Sequence, residues 1–249
     1  PADGSPPVYS THDTHWWDGS QIYGHDQAFQ ELARTGEGGK LRIGDDGLHP
    51  AALDPLLDPV GPRGNFWVGL AILHALFIRE HNAICDALRR ERGDWSDEQL
   101  YDTARLINAA VMAKIHTVEW TPAIIAHPTT ERGMHANWYG LLGQRFRRRF
   151  GRLGRSDVLS GIPGSPTDHH GAPYSLTEEF VSVYRMHPLI PDEYELRSLD
   201  GAPAARTDFA AIGPRRWREP LEKIGVPNAF YSIGTAHPGA IVLHNYPRS

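Results

Sequence analysis

The chain has 249 residues, of which 40% are hydrophobic and 22% charged, and its formal net charge is -5. These values suit a folded globular chain, most simply a single domain, and exclude a disordered or fibrous protein. The acidic balance and the lack of a nucleic-acid-binding motif argue against nucleic acid as a partner. No signal peptide opens the sequence and no apolar run is long enough to span a membrane, which favours a cytoplasmic or peripheral membrane location. With one cysteine, Cys85, no disulfide framework can form.

Two long helices dominate the predicted first half. Residues 1–62 are rich in Gly, Pro, Asp and His, a composition that predicts loop with a short helix near 26–34. A long helix is predicted over 66–92 from apolar residues at helical spacing, namely Leu70, Leu73, Phe77, Ile84 and Leu88. A capping box at Ser96 begins the second long helix, which is expected to break or kink at Pro122.

The predicted second half is also helical but is richer in loops. A helix is expected around 137–150, followed by a Gly/Pro/Ser/His loop over 151–174 and another helix over about 176–187. Residues 188–249 hold many Pro and Gly and predict only short helical pieces. Because almost no alternating strand pattern is visible, the expected fold class is mainly α, with long loops and little strand.

The helix over 176–187 carries the most informative pattern. A capping box precedes it and Pro188 ends it, while Phe180, Tyr184 and His187 fall at i, i+4 and i+7 on one face. The Tyr184 phenol therefore stands one turn from the His187 imidazole, with about 4.5 Å of axial rise between them. A histidine that binds haem iron beside a tyrosine that the haem oxidises needs this arrangement. The alternative is a helix end whose His and Tyr are ordinary core residues.

A long resemblance to one family surrounds this helix. The proximal-haem segment of the animal-type haem peroxidases, also called the peroxidase–cyclooxygenase superfamily, is similar to residues 160–192, SGIPGSPTDHHGAPYSLTEEFVSVYRMHPLIPD. The fatty-acid α-dioxygenases of that superfamily are the most similar. The resemblance implies a helical haem peroxidase core that binds haem b, with His187 as the proximal iron ligand and Tyr184 as the radical residue. It also implies a fatty acid, O2 and peroxide as partners, and nothing in the sequence indicates an oligomeric state.

Oxygen groups recur at alternate positions in the stretch from Thr14 to Ser20, Thr-His-Trp-Trp-Asp-Gly-Ser. A hard cation such as Ca2+ takes six to eight oxygen ligands, and an extended loop can point alternate residues inward. The stretch resembles the calcium loop of the superfamily, which implies ligation by the side chains of Thr14, Asp18 and Ser20 and the carbonyl of Trp16. A simple turn at Asp-Gly is the alternative, and the family's remaining aspartate ligand has no counterpart here.

The resemblance implies two further residues near the haem. Arg63 precedes the first long helix at the spacing of the family's catalytic arginine, where a guanidinium would polarise the peroxide O–O bond. A loop arginine in a surface salt bridge is the alternative. Asn245 matches the asparagine that accepts a hydrogen bond from the proximal histidine, and such partners orient the ring and tune the iron. A turn asparagine is the alternative there.

The segment from Lys114 to Pro122, KIHTVEWTP, distinguishes α-dioxygenases from peroxidases. In the α-dioxygenases, the residues that match His116 and Thr121 hold the fatty-acid carboxylate. Five residues apart, the two would not share a face of a straight helix, so the expected break at Pro122 must bring Thr121 round. A buried histidine at a helix end is the alternative.

Residues 145–155, RFRRRFGRLGR, form a basic run with interleaved apolar residues. Such a run can contact phosphates or a membrane surface. The favoured interpretation is a solvated helix face whose two phenylalanines are anchors turned inward.

With 14 histidines in the chain, zinc is an alternative metal. The patterns His-Glu-x-x-His and Glu-x-x-His are absent, and a lone cysteine excludes thiolate zinc sites. Haem is therefore favoured over zinc or di-iron chemistry.

The resemblance covers nearly the whole chain but not the whole family domain. The family's distal-histidine helix and its carboxylate-binding arginine have no counterpart, so residues 1–249 are expected to be an incomplete haem peroxidase/α-dioxygenase-like domain that lacks the N-terminal distal-His helix and the C-terminal part. The expected activity is that of a haem-dependent fatty-acid α-dioxygenase. Its tyrosyl radical removes the α-hydrogen and O2 adds, giving a 2-hydroperoxy fatty acid. A haem peroxidase of the same fold and a haem-binding protein without turnover stay as alternatives.

Overall fold

The computed structural model describes residues 17–24, 26–53, 66–167, 179–180, 184, 189–213 and 216–236. These residues are mainly helical, as the sequence predicts, and they include one two-stranded sheet. The α-helices are α1 (Ser20–Tyr23), α2 (Gln27–Ala33), α3 (Val68–Glu91), α4 (Asp97–Ile115), α5 (Thr121–Ile124), α6 (Pro128–Tyr139), α7 (Gly143–Phe150), α8 (Asp157–Ser160), α9 (Phe209–Ile212) and α10 (Arg218–Thr235). A 3-10 turn spans Ala51–Leu53, a π-helical turn spans His116–Trp120, and the strands are β1 (Glu193–Arg197) and β2 (Pro203–Asp208).

The two long helices, α3 and α4, pack against each other and organise the fold. The predicted capping box of α4 is confirmed, because the Ser96 hydroxyl accepts from the Gln99 N–H at 3.2 Å and the Gln99 side chain accepts from the Ser96 N–H at 2.9 Å. Each bond satisfies an N–H that the first helical turn would leave without a partner. Among the helices in the described ranges, none is long and apolar enough to cross a bilayer.

Two apolar cores lie along α3. The first joins the start of α3 to the sheet and α10, and its buried members include Val68, Ala71, Ile72, Tyr194, Leu196 and Leu221. The second joins α1 and α2 to the middle of α3 and to α4, and its buried members include Ile22, Tyr23, Phe29, Ile78 and Tyr101. The second core therefore fixes the segment that begins at Trp17 relative to both long helices.

The single helix predicted around 137–150 is wrong. The structure has α6 and α7 instead, separated at Gly140, whose φ of 75° is left-handed. A Cβ added at Gly140 would lie 2.1 Å from the Leu159 carbonyl oxygen, so only glycine allows this close approach of α8. The close approach ends α6 and turns the chain into α7.

A β-hairpin in residues 193–208 was not predicted from the sequence. Its strands pair antiparallel with Glu193 opposite Asp208 and Tyr194 opposite Thr207. Tyr194 and Leu196 are buried while their neighbours on β1 are not, so the strand does alternate, but over only five residues. α10 packs on β1 and consists of two helical pieces that meet at Gly225, in line with the short pieces expected there.

Candidate active site

A π-helical turn between α4 and α5 places His116 and Thr121. The Thr121 backbone N–H bonds the His116 carbonyl, the i to i+5 bond of a π turn, and the Thr121 hydroxyl donates to the same oxygen at 2.8 Å. The helical path does not end at Pro122 as expected. Pro122 lies in the first turn of α5, where its missing N–H is tolerated. The distortion precedes the proline, and such turns are frequent at functional sites.

The His116 imidazole contacts two aromatic residues from distant parts of the chain. Its Nε2 lies 3.0 Å from the Tyr184 hydroxyl, a hydrogen bond between residues 68 positions apart. The Trp17 ring lies against it with a centroid separation of 5.0 Å and an interplanar angle of 60°. The fold therefore joins the two segments that the resemblance singles out, and it adds Trp17, which sequence reasoning missed as a site residue.

Tyr184 also stacks on Phe180, as their i, i+4 spacing predicts. The two ring centroids are 5.1 Å apart with an interplanar angle of 13°, and the Tyr184 N–H bonds the Phe180 carbonyl at 2.8 Å. Tyr184 is 47% exposed, and Phe180 and Trp17 are exposed to a similar degree. Exposed aromatic side chains grouped in this way are typical of a surface that binds another molecule or another part of the protein.

The hydroxyl of Thr121 is already engaged. Its hydrogen points to the backbone carbonyl of His116, so only its lone pairs face outward in this arrangement. A carboxylate-binding role for Thr121 therefore requires the hydroxyl hydrogen to turn away from that carbonyl. His116 needs no such change, because only one of its two ring nitrogens is used by Tyr184.

Asp18 and Ser20 form a tight local turn. Asp18 Oδ1 accepts from the Ser20 N–H at 3.0 Å, and its other carboxylate oxygen lies 3.9 Å from Arg105 Nη2. Arg105 Nε also donates to the Asp18 carbonyl at 3.4 Å. No cluster of three or more His, Cys, Asp or Glu side chains suited to a metal occurs in the part of the chain that the structure describes. Calcium binding at this turn stays a prediction.

The other predicted site residues lie outside the described residues. They are Thr14 and Trp16 of the calcium loop, the catalytic candidate Arg63, the haem ligand His187 and its candidate partner Asn245.

A buried polar network joins α1 to α3 and α4. The Tyr23 hydroxyl lies 3.0 Å from His81 Nδ1 and accepts from Asn108 Nδ2 at 2.8 Å. His81 Nε2 lies 2.8 Å from the Gly39 carbonyl and 3.4 Å from the Cys85 thiol. Burial raises the pKa of Tyr23, lowers that of His81 and raises that of the Cys85 thiol to about 11, so all three stay neutral at pH 7.

This network has a positioning role. Tyr23 follows the turn at Asp18, and the Arg105 guanidinium lies 5.1 Å from the centre of the Tyr23 ring while bonding the Asp18 carbonyl. The contacts tie α1 to α3 and α4 and so hold Trp17 beside His116. These contacts give His81 a structural role.

Comparison with known proteins agrees with the fold. The sequence profile of the family "Animal haem peroxidase" matches residues 2–249, and the chain belongs to that family. Within it, the chain is 44% identical over 248 residues to "Alpha-dioxygenase PIOX" of Oryza sativa subsp. japonica, covering 94% of this chain and 39% of that protein. It is 43% identical over 244 residues to "Alpha-dioxygenase 1" of Arabidopsis thaliana, covering 94% of this chain and 38% of that one.

Solved structures show the same likeness. The fold matches the crystal structure of Oryza sativa fatty acid alpha-dioxygenase with a TM-score of 0.82 and 43% identity, over 93% of this chain and 39% of that chain. A variant of the rice protein crystallised with palmitic acid matches with a TM-score of 0.83 and 41% identity, over the same shares of each chain. The chain therefore spans about 39% of the length of the relatives it matches.

Asp18 offers a direct test of the calcium prediction. Replacing Asp18 with Asn should lower the calcium content of the purified full-length protein, because it removes a charged oxygen ligand but keeps an oxygen for the Ser20 N–H. Replacing it with Ala should also lower the melting temperature by about 2–4 °C, since the hydrogen bond from the Ser20 N–H to Asp18 contributes about 1 kcal/mol. Elemental analysis and calorimetry measure both effects, and an intact protein without calcium would contradict the prediction.

Proposed function

We propose that this chain forms the part of a haem-dependent fatty-acid α-dioxygenase that carries the radical tyrosine and one side of the carboxylate site. The observation that carries the proposal is the hydrogen bond between His116 Nε2 and the Tyr184 hydroxyl. It joins, in one contact, the residue to be oxidised and the residue that resembles a carboxylate ligand. Relatives named as alpha-dioxygenases, one of them crystallised with palmitic acid, support the choice over a plain peroxidase.

The residues present suit a haem. An exposed stacked pair, Phe180 and Tyr184, offers a flat aromatic surface of the kind that a porphyrin covers. His187, three residues after Tyr184, would hold the group through its imidazole, a common axial ligand of haem iron. When bound, haem supplies the one-electron oxidation of the Tyr184 phenol.

His116 accepts the proton that Tyr184 releases when it is oxidised. A phenol that loses an electron must also release its proton, and His116 Nε2, at 3.0 Å, is within reach to accept it. The product is a neutral phenoxyl radical that stays hydrogen-bonded to the imidazole. When Nε2 of His116 accepts from Tyr184, the hydrogen of the neutral ring is on Nδ1. Nδ1 then donates to the fatty-acid carboxylate in a charge-assisted hydrogen bond.

The carboxylate anchor decides which hydrogen is removed. With the carboxylate on His116 and the radical on Tyr184, the carbon next to the carboxylate is the one within reach of the phenoxyl oxygen. Hydrogen transfer restores the Tyr184 O–H and leaves a carbon radical, to which O2 adds. The resulting peroxyl radical takes a hydrogen atom from Tyr184, giving the 2-hydroperoxy acid and the phenoxyl radical again.

Replacing His116 tests this function. In the His116→Gln variant we expect kcat/KM for palmitate, measured by oxygen uptake, to fall by about 100-fold or more. The variant loses the group that accepts the Tyr184 proton and the imidazole N–H that donates to the fatty-acid carboxylate. His135→Gln is the matched control, since His135 is an exposed histidine whose ring lies 5.8 Å from that of Tyr139. Unchanged oxygen uptake in His116→Gln would contradict the proposal. Turnover of a small peroxidase donor without any palmitate-dependent oxygen uptake in the wild type would establish the plain peroxidase instead.

A further inference from the structure

The last residue of α7, Phe150, is exposed, which the sequence did not predict. The two phenylalanines of the basic run were expected to point inward, but Phe150 is 69% exposed and only Phe146 is half-buried. Their rings lie 5.0 Å apart, so Phe150 extends the apolar stripe of the helix toward solvent. The expected pair of inward anchors is therefore wrong for Phe150, because no described element packs over the end of α7.

Hydrogen bonds connect the segments before and after α7, which carry further exposed apolar residues. The Leu141 N–H bonds the Val158 carbonyl at 2.9 Å, and the Leu153 N–H bonds the Ser160 hydroxyl at 2.8 Å. The Ile162 N–H bonds the Asn137 carbonyl at 3.0 Å, which ties the same stretch to α6. The resulting α7 surface consists of five residues that are each 50–69% exposed: Leu141, Phe150, Leu153, Val158 and Ile162.

The α7 surface is held by internal bonds. Two arginines of the basic run point inward, where Arg147 donates to the Pro163 carbonyl at 3.1 Å and Arg152 donates to the Gly161 carbonyl at 2.6 Å. Arg152 also forms an ion pair with Asp157, whose carboxylate accepts from the Ser165 hydroxyl. These bonds fix the loops that present the apolar side chains, so the surface is preorganised.

The remaining arginines flank the α7 surface with positive charge. Arg145, Arg148, Arg149 and Arg155 are exposed, and within the described ranges none of them forms an ion pair. Three of them, at positions 145, 148 and 149, share one face of α7 and border the stripe that ends in Phe150. Asp157, a carboxylate within this segment, is already bonded to Arg152.

We propose that the α7 surface docks on an anionic lipid bilayer. A surface of exposed apolar side chains bordered by arginines suits the membrane interface, where the apolar side chains enter the acyl boundary and the arginines meet lipid phosphates. Charge complementarity favours lipid over a second copy, because a symmetric dimer through this surface would bring the arginines of both copies together. The inference concerns binding alone and does not depend on the proposed function.

Binding to vesicles tests the inference. The full-length protein should co-sediment with vesicles of phosphatidylcholine and phosphatidylglycerol in equal parts, and much less with phosphatidylcholine alone. Replacing Arg145, Arg148 and Arg149 together with Gln should weaken partitioning on the order of 100-fold, since each interfacial charge contributes about 1 kcal/mol. Phe150→Ser should weaken partitioning by about 10-fold or more, because it removes apolar burial. This loss should depend less on the salt concentration than the loss caused by the arginine replacements.

The control removes the same charge elsewhere. Arg89, Arg90 and Arg92 at the end of α3 are also exposed, and replacing all three with Gln should leave vesicle binding unchanged. Equal binding by both triple variants, or no binding to anionic vesicles, would overturn the inference.

A label at position 150 identifies the occupant. Because Cys85 is buried, a thiol-reactive polarity-sensitive dye on a Phe150→Cys variant should label the new thiol and not Cys85, and its emission should shift to the blue on adding anionic vesicles. A dye that is unreactive or already blue-shifted without lipid would overturn the inference. It would show that another part of the chain, or a second copy identified by its sedimentation, covers the surface.

Discussion

Tyr184→Phe should abolish fatty-acid oxygenation while haem content stays normal. The substitution keeps the ring that stacks on Phe180 but removes the hydroxyl that bonds His116 Nε2 at 3.0 Å. Without the O–H, no phenoxyl radical can form to remove the α-hydrogen, so palmitate-dependent oxygen uptake should fall to background. Turnover of a small peroxidase donor should survive in part, because that reaction needs no tyrosine.

The matched control is Tyr139→Phe. Tyr139 is also a tyrosine beside a histidine, with its ring 5.8 Å from that of His135, but it lies at the end of α6 and has no place in the proposed mechanism. Its replacement should leave oxygen uptake unchanged. If Tyr184→Phe took up oxygen as fast as the wild type, the radical mechanism would be wrong and the plain peroxidase would be the better assignment.

His187→Ala should remove the haem altogether. His187 follows Tyr184 by three residues in the segment that resembles the proximal-haem segment of the family, and its imidazole is the proposed iron ligand. The purified full-length variant should lack the Soret band that the wild type shows. Circular dichroism measured in parallel should confirm that the helical fold persists, which separates loss of a ligand from loss of folding.

A chemical rescue sharpens the His187 experiment. Added imidazole should restore part of the Soret band in His187→Ala, because it can occupy the space of the missing side chain and bind the iron. His135→Ala, which removes an exposed histidine from α6, should keep normal haem content. A normal Soret band in His187→Ala without imidazole would refute the ligand assignment.

The two long helices were predicted well because capping boxes and apolar spacing depend only on residues close together in the sequence. The capping box at Ser96 and the apolar spacing over 66–92 depend on residues within one or two turns of each other, and both elements formed as expected. The buried face of α3 was less predictable. Leu73 is 44% exposed while Ala71 and Ile72 are buried, because the partners of α3 come from β1 and α10, far along the chain.

The errors have non-local causes. Gly140 interrupts the predicted helix because α8 approaches it, and nothing near Gly140 in sequence announces Leu159. The hairpin was missed because its alternation covers only five residues, three of which are charged.

The site shows the same division between local and distant information. The i, i+4 contact of Phe180 and Tyr184 follows from helical spacing. The contact of His116 with Tyr184 could be expected only through the resemblance, which assigned both residues to one site without stating that they touch. Trp17 gave no signal at all, since a tryptophan in a loop of Gly, Asp and His has no periodicity to indicate its neighbour.

The buried position of Cys85 has a consequence for the durability of the protein. Peroxide oxidises thiolates to sulfenic and higher acids, and susceptibility follows thiolate character and access. The only sulfhydryl of the chain is enclosed beside His81 and Gly39, and burial raises its pKa to about 11. Under the proposed function the protein meets peroxide, and the described part of its chain exposes no reactive thiol. Repeated turnover should therefore leave Cys85 reduced, which mass spectrometry of the used protein can verify.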